Sequence, residues 1–268
     1  MKSDYNKRSQ SLMIVYLTLA TLPSEKANVM QTVRMCDALA RRGCSVYLLA
    51  PARFDKLHAR DILEEVGDFY GIKARFKLIP LVPPLLWTES KRINVIVHLL
   101  TSLLYVFSCI IFVKLLKRLR RGRVFLFTRT PLLLAILQVL EFLSGGMKTI
   151  YESHNIYYEL ETQGKLKPLF IRGLERASLI ISISHSLAVK VEKIVRNHVP
   201  IMILHDAHDP ALLETISATS GELRAELGLP QDKWIVAYIG QLWLWKKPEF
   251  IIDAFRLIGD DDIILLFV

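Results

Sequence analysis

The sequence predicts an α/β fold built around a doubly wound parallel sheet. Two observations carry this. Short apolar runs recur along the chain, continuous rather than alternating, as in strands buried on both faces. Between them stand segments with apolar residues at helical spacing, ended by Gly or opened by Pro. Composition agrees: 52% apolar residues and a mean hydropathy of +0.32 call for much buried sheet or for membrane contact.

The elements follow in order. Residues 1–11 read as a charged, loose tail, and the apolar stretch after them lacks a cleavage pattern, so it reads as a strand and not as a signal peptide. LMIVYLTL (12–19) is that first strand. KANVMQTVRMCDALARRG (26–43) places Val29, Val33, Cys36, Leu39 and Ala40 on one helical face and stops at Gly43. CSVYLLA (44–50) completes a βαβ unit. RFKLIPL (75–81) and RVFLFT (123–128) are further strands, and a helix opens at Pro131 and ends at Gly145–Gly146. KTIYE (148–152), ASLIISIS (177–184) and VPIMIL (199–204) complete a set of seven, with an amphipathic helix at 185–197. Residues 12–204 therefore form one doubly wound domain.

Residues 205–230, with Asp206, Asp209, Pro210, Gly228 and Pro230, read as a linker. Residues 231–268 give one more βαβ: strand 233–240, helix 247–259, and a buried strand IILLFV at 263–268. Such a unit is too small to bury a sufficient core alone. The expectation is a second domain of which this chain carries only the first part.

INVIVHLLTSLLYVFSCIIFV (93–113) carries no formal charge and is long enough to cross a bilayer. Strands of one sheet stand on either side of it, which argues against a span. Two readings stay open: a buried helix of the α/β domain, or a helix dipping into the cytoplasmic leaflet. In the second, Lys114, Lys117, Arg118, Arg120, Arg121 and Arg123 meet anionic head groups, so 93–123 forms the contact.

The formal charge of +9 favours anionic partners. Nucleic acid is not expected, because the basic cluster lacks interleaved aromatics and a recognition motif. The three cysteines, Cys36, Cys44 and Cys109, give neither a disulfide framework nor metal spacing, and fit a reducing, cytoplasmic location. Cys36 and Cys109 read as core residues. No dinucleotide fingerprint, P-loop or nucleophile elbow appears.

Four places could carry chemistry, all at strand C-termini, where open α/β sheets bind ligands. They are TLPSEKANVMQT after the first strand, YESHN (151–155), ISHS (183–186) and GQLWLWKKPEF (240–250). In the last, Gly240 lets backbone approach a ligand, and Lys246 and Lys247 precede a helix start, which suits a diphosphate. The last three have plainer readings: His154 as a structural histidine, Ser184 and Ser186 as N-caps, the lysines as solvated charges.

Taken together, YLTLATLPSEKANVMQTVRMCDALARRGCSVYLLAP, FTRTP, YESHN, LERASLIISISHSLA, LHDAHDP and YIGQLWLWKKPEFIIDAF resemble the retaining glycosyltransferases of family 4, which have the two-domain GT-B fold. The resemblance covers about 12–268. It implies transfer of a hexose from a nucleotide-diphosphate sugar, as substrate and without a cofactor or metal, to a glycan or lipid-linked acceptor. It implies His154 beside the donor sugar as the catalytic residue, and Gly240, Lys246 and Lys247 at the donor diphosphate. Asn28, Arg129, Glu152, Asn155 and Ser184 would line the acceptor side. Gln241 stands where the family has arginine, and Lys247 where it commonly has glycine. The family's paired-glutamate motif has no counterpart. The resemblance therefore implies a C-terminally truncated, weakly active or inactive transferase, and the 93–123 stretch adds the expectation of a peripheral place on the inner face of the plasma membrane. The rival expectation is a non-catalytic subunit completed by a companion chain at the 263–268 edge.

Overall fold

A computed structural model describes residues 12–52, 58–81, 91–119, 122–140, 143, 147–207, 217–240, 242 and 244–268, without the side chains of 91–95 and 245. The expected tail at 1–11, the helix stop at Gly145–Gly146, Arg120, Arg121, Gln241 and the 208–216 part of the linker lie outside the described residues. The chain divides into two compact units, Met1–Asp206 and Ala207–Val268.

The first unit holds one parallel sheet of seven strands. They are β1 (Met13–Leu17), β2 (Ser45–Pro51), β3 (Lys77–Leu81), β4 (Val124–Thr128), β5 (Lys148–Ser153), β6 (Leu179–Ser182) and β7 (Ile201–Ile203). Their spatial order is β3-β2-β1-β4-β5-β6-β7, so the winding reverses between β1 and β4. Every pairing is parallel, with Met13 opposite both Ser45 and Val124. Each neighbouring pair therefore needs a crossover, and the helices supply it. They are α1 (Ala27–Arg41), α2 (Ala59–Tyr70), α3 (Lys91–Leu119), α4 (Pro131–Val139), α5 (Ile156–Thr162), α6 (Lys167–Glu175) and α7 (His185–Glu192).

The pleat sorts side chains to two cores. Met13, Val15 and Leu17 of β1 join the buried face of α3 and part of α4. Ile14 and Tyr16 of the same strand join α1 and α2. Both faces of β1 are covered, which is why its run is continuously apolar. Cys36 and Cys109 are fully buried among these residues. α1 ends before Gly43, whose φ of +88° is open to glycine without steric cost.

A third cluster joins α4 to α5, α6 and α7. At its tightest point α6 presents Gly173, where a Cβ would lie 2.7 Å from Leu134 Cγ and 3.2 Å from the Leu134 carbonyl oxygen. Both residues are buried. Gly173→Ala is expected to destabilise the chain by about 1–3 kcal/mol, because neither helix can yield without disturbing its own core contacts. Urea unfolding measures this.

α3 buries one side and exposes the other. Ser102, Tyr105, Val106, Cys109, Ile110 and Val113 are buried. The opposite side, from Ile96 to Leu115, is exposed and apolar.

The second unit contains α8 (Ser220–Glu226), β8 (Trp234–Tyr238), α9 (Pro248–Arg256) and β9 (Ile263–Phe267). The stretch expected to be linker thus carries a helix, closed by a capping box between Thr219 and Glu222. β8 and β9 pair in parallel, Trp234 opposite Ile263 and Tyr238 opposite Phe267. β9 was expected to be buried on both faces. All five of its residues are only half-buried, since within this unit the strand pairs with β8 alone.

Candidate functional site

The reversal between β1 and β4 leaves a crevice at the carboxyl ends of the strands. Thr128 closes its floor: the hydroxyl donates to the Leu17 carbonyl at 3.1 Å and accepts from the Thr130 amide at 3.1 Å. This ties the ends of β1 and β4 and fixes the exit of Arg129. The Arg129 guanidinium donates to Gln31 Oε1 at 2.6 Å and reaches the Asn28 carbonyl at 3.4 Å, both on α1. The Gln31 amide in turn donates to Asp206, just beyond β7.

On its other side Arg129 lies 4.0 Å from Glu152 Oε1, and His154 Nε2 lies 2.5 Å from the same oxygen. As a carboxylate Glu152 only accepts, so the histidine Nε2–H donates. Glu152 is 3% exposed. A buried carboxylate needs such partners, since desolvation of an unpaired charge costs several kcal/mol or more (about that scale). Its second oxygen, Oε2, and the Tyr16 hydroxyl are buried without a hydrogen bond among the described residues. Burial, and after it the charge of Glu152, pushes the Tyr16 hydroxyl well above its usual range. The Thr32 hydroxyl beside Tyr16 is spent on the Asn28 carbonyl.

The loop carrying His154 is held by a residue that sequence reasoning missed. Glu159, one turn into α5, accepts from the His154 amide at 2.7 Å and the Asn155 amide at 2.8 Å through Oε1. Through Oε2 it accepts from the Ser153 hydroxyl at 2.9 Å and the Tyr151 hydroxyl at 3.1 Å. The available signal was an acid in the first turn of a helix after an Asn N-cap. Gln31 and Asp206 were also missed; only the strand order brings them to Arg129.

Among the residues expected at the site, Arg129, Glu152, His154 and the Asn28 backbone come together. Asn155 and Ser184 serve as helix caps: the Asn155 side chain accepts from the Tyr158 amide, and the Ser184 hydroxyl accepts from the Leu187 amide. No group of three or more His, Cys, Asp or Glu side chains converges as a metal site among the described residues.

In the second unit, Gly240 follows β8 with φ +135°, a conformation side chains rarely adopt. Its amide donates to the Val268 carbonyl at 2.8 Å. Lys246 returns over it: Nζ lies 3.4 Å from where a Gly240 Cβ would stand, and 6.0 Å from the centre of the Tyr238 ring. Lys247, at φ +48°, is the N-cap of α9, with Pro248 at the first helical position. An ammonium group thus stands over open backbone at the carboxyl end of a parallel strand.

Solved structures share this architecture. Anabaena HepE in complex with UDP-glucose is 13% identical with a TM-score of 0.61, over 95% of this chain and 60% of that one. The N-terminal domain of Candida albicans trehalose-6-phosphate phosphatase is 12% identical with a TM-score of 0.63, over 96% and 64%. The catalytic domain of Arabidopsis thaliana starch synthase IV, bound to ADP and acarbose, is 10% identical with a TM-score of 0.58, over 96% and 68%. The fold is of the GT-B type. The chain spans about 60% of the length of HepE. No family model and no curated protein sequence matches it.

Proposed function

We propose that this protein is a cytoplasmic glycosyltransferase of the retaining family 4 type, moving a hexose from a nucleotide-diphosphate sugar to a glycan or lipid-linked acceptor. The observation that carries the reading is Lys246, poised over the open backbone of Gly240, in a fold shared with proteins solved with UDP-glucose and with ADP. In the reaction the bond between the sugar C1 and the phosphate oxygen breaks and the diphosphate takes the electron pair. The acceptor hydroxyl attacks C1 on the face being vacated, and its proton passes to the leaving group. Lys246 and Lys247 stabilise the charge that develops on the diphosphate, so the step needs no metal. Gly240 contributes space, because its amide is already spent on Val268. In the first unit His154 meets the donor sugar. Glu152 holds the histidine and Arg129 lies beside Glu152, with Asn28, Asn155 and Ser184 around the acceptor.

The test uses the product of the complete reading frame that encodes this chain, incubated with UDP-, GDP- and ADP-hexoses. Nucleoside diphosphate release from one donor, lost in His154→Ala, is the expected result. Absence of release from all of them with membrane extracts as acceptor source would overturn the reading.

A second reading is favoured by the exposure of Trp234, Phe250 and Leu257 in the second unit. In it the chain is a non-catalytic subunit, and a companion polypeptide pairs along 263–268. Co-purification of a stoichiometric small chain supports it; a monomer turning over nucleotide sugar contradicts it.

A further inference from the structure

We propose that the exposed face of α3 seats the protein on an anionic lipid bilayer, with the helix lying in the plane of the membrane surface. The proposal does not depend on the glycosyl-transfer reading. Ile96, Leu100, Leu104, Phe107, Ile111 and Leu115 recur every three or four residues, so they share one side of the helix. Each is between 42% and 59% exposed. The stripe runs for roughly 30 Å at 1.5 Å per residue. Single exposed aliphatics are ordinary on a protein surface, but a continuous row of this length marks a contact site.

The hydroxyls along the helix are already spent. Thr101 donates to the Val97 carbonyl at 2.7 Å, Ser102 to His98 at 2.7 Å and Ser108 to Leu104 at 2.9 Å. Each bond closes one turn back within the helix, leaving these donors satisfied without water. The geometry also fixes the orientation. The opposite side of α3 is packed into the core against β1, β2 and β4, so the helix cannot cross a bilayer without carrying the sheet with it.

Charge chooses the occupant. No Asp or Glu stands between Glu89 and Glu141, while Lys91 and Arg92 open the helix and Lys114, Lys117 and Arg118 close it. Lys114, Lys117, Arg118 and the nearby Arg123 are exposed. A second copy packed on this stripe would set a basic end against a basic end in either direction. Phosphates of lipid head groups meet cations at both ends while acyl chains receive the row between them.

The experiment is flotation of the 268-residue chain, synthesised cell-free with vesicles of phosphatidylcholine alone or of equal parts phosphatidylcholine and phosphatidylglycerol. The chain is expected to float with the mixed vesicles and to be released from them by alkaline carbonate. Replacing Lys114, Lys117 and Arg118 by Gln should weaken partitioning about a hundredfold, at about a factor of five per cation. Leu100→Ser with Leu104→Ser and Ile111→Ser should abolish flotation while leaving the circular dichroism spectrum unchanged, since these side chains are outside the core. Three results would overturn the proposal: a chain that stays at the bottom of the gradient with both vesicle types, a chain that resists carbonate as a spanning helix does, or a Ser variant that floats as well as the parent. A stable dimer that dissociates in the Ser variant, without lipid binding, would assign the face to a second copy instead.

Discussion

Glu159→Ala is expected to destabilise the first unit by about 3 kcal/mol, since it strands several buried donors at once. One carboxylate accepts two amides and two hydroxyls from Tyr151, Ser153, His154 and Asn155. The Tyr151 and Ser153 side chains are fully buried, so water cannot replace the lost acceptor without opening the core. Glu159→Gln keeps the volume but turns an amide nitrogen toward donors, and should recover only part of the loss. Urea unfolding followed by circular dichroism reads both. An unchanged midpoint in Glu159→Ala would show that the loop holds itself. Because His154 is aimed by this loop, either variant should also lower any activity that uses the histidine.

The second large effect is on turnover. Lys246→Ala is expected to reduce nucleotide-sugar turnover by about a hundredfold to a thousandfold, the scale for removing one fixed donor from a developing negative charge. Lys246 is exposed, so stability should change by less than about 0.5 kcal/mol. Lys246→Arg should restore part of the rate, because it keeps the charge while changing its shape. Gly240→Ala should act in the same direction, through strain at φ +135° and a methyl group 3.4 Å from the ammonium. Steady-state rates of diphosphate release check the series. An unaltered rate in Lys246→Ala would remove this lysine from the chemistry.

How far the sequence announced this arrangement differs from element to element. All seven strands of the sheet were legible, the inner ones because a strand covered on both faces needs an unbroken apolar run. Element ends were less so: the strand expected at 12–19 covers Met13–Leu17, and the helix expected at 185–197 stops at Glu192. α5 and α6 went unassigned, since Gly164 and Pro168 break the pattern and much of each helix faces solvent. α8 was hidden in a polar stretch for the same reason; it holds itself by its cap and has no buried residue.

The site divides along similar lines. Glu152 and His154 lie at a strand end, where position alone nominates them, whereas Arg129 was nominated by the resemblance. Gln31, Asp206 and Glu159 could not be nominated that way, because their roles depend on which strands are neighbours and on a helix folding back over its own N-terminal loop. In the second unit the spacing of Gly240 and Lys246 was visible, but the stacking of the lysine on Tyr238 was not. For 93–113, hydropathy could not separate a core helix from a membrane-surface helix. Burial shows one buried face and one exposed face, both apolar, and a row apolar on both sides hides that division from periodicity.

The central claim is group transfer from a nucleotide sugar, and the fate of a labelled hexose tests it most directly. The product of the complete reading frame should be given a nucleotide-diphosphate hexose labelled in the sugar, together with a membrane extract. The account predicts that label enters a lipid-linked or polymeric fraction in step with diphosphate release, with the anomeric configuration of the donor kept, and that both signals vanish in His154→Ala. Label that stays on the nucleotide, or that is released only as free or epimerised sugar, would contradict it.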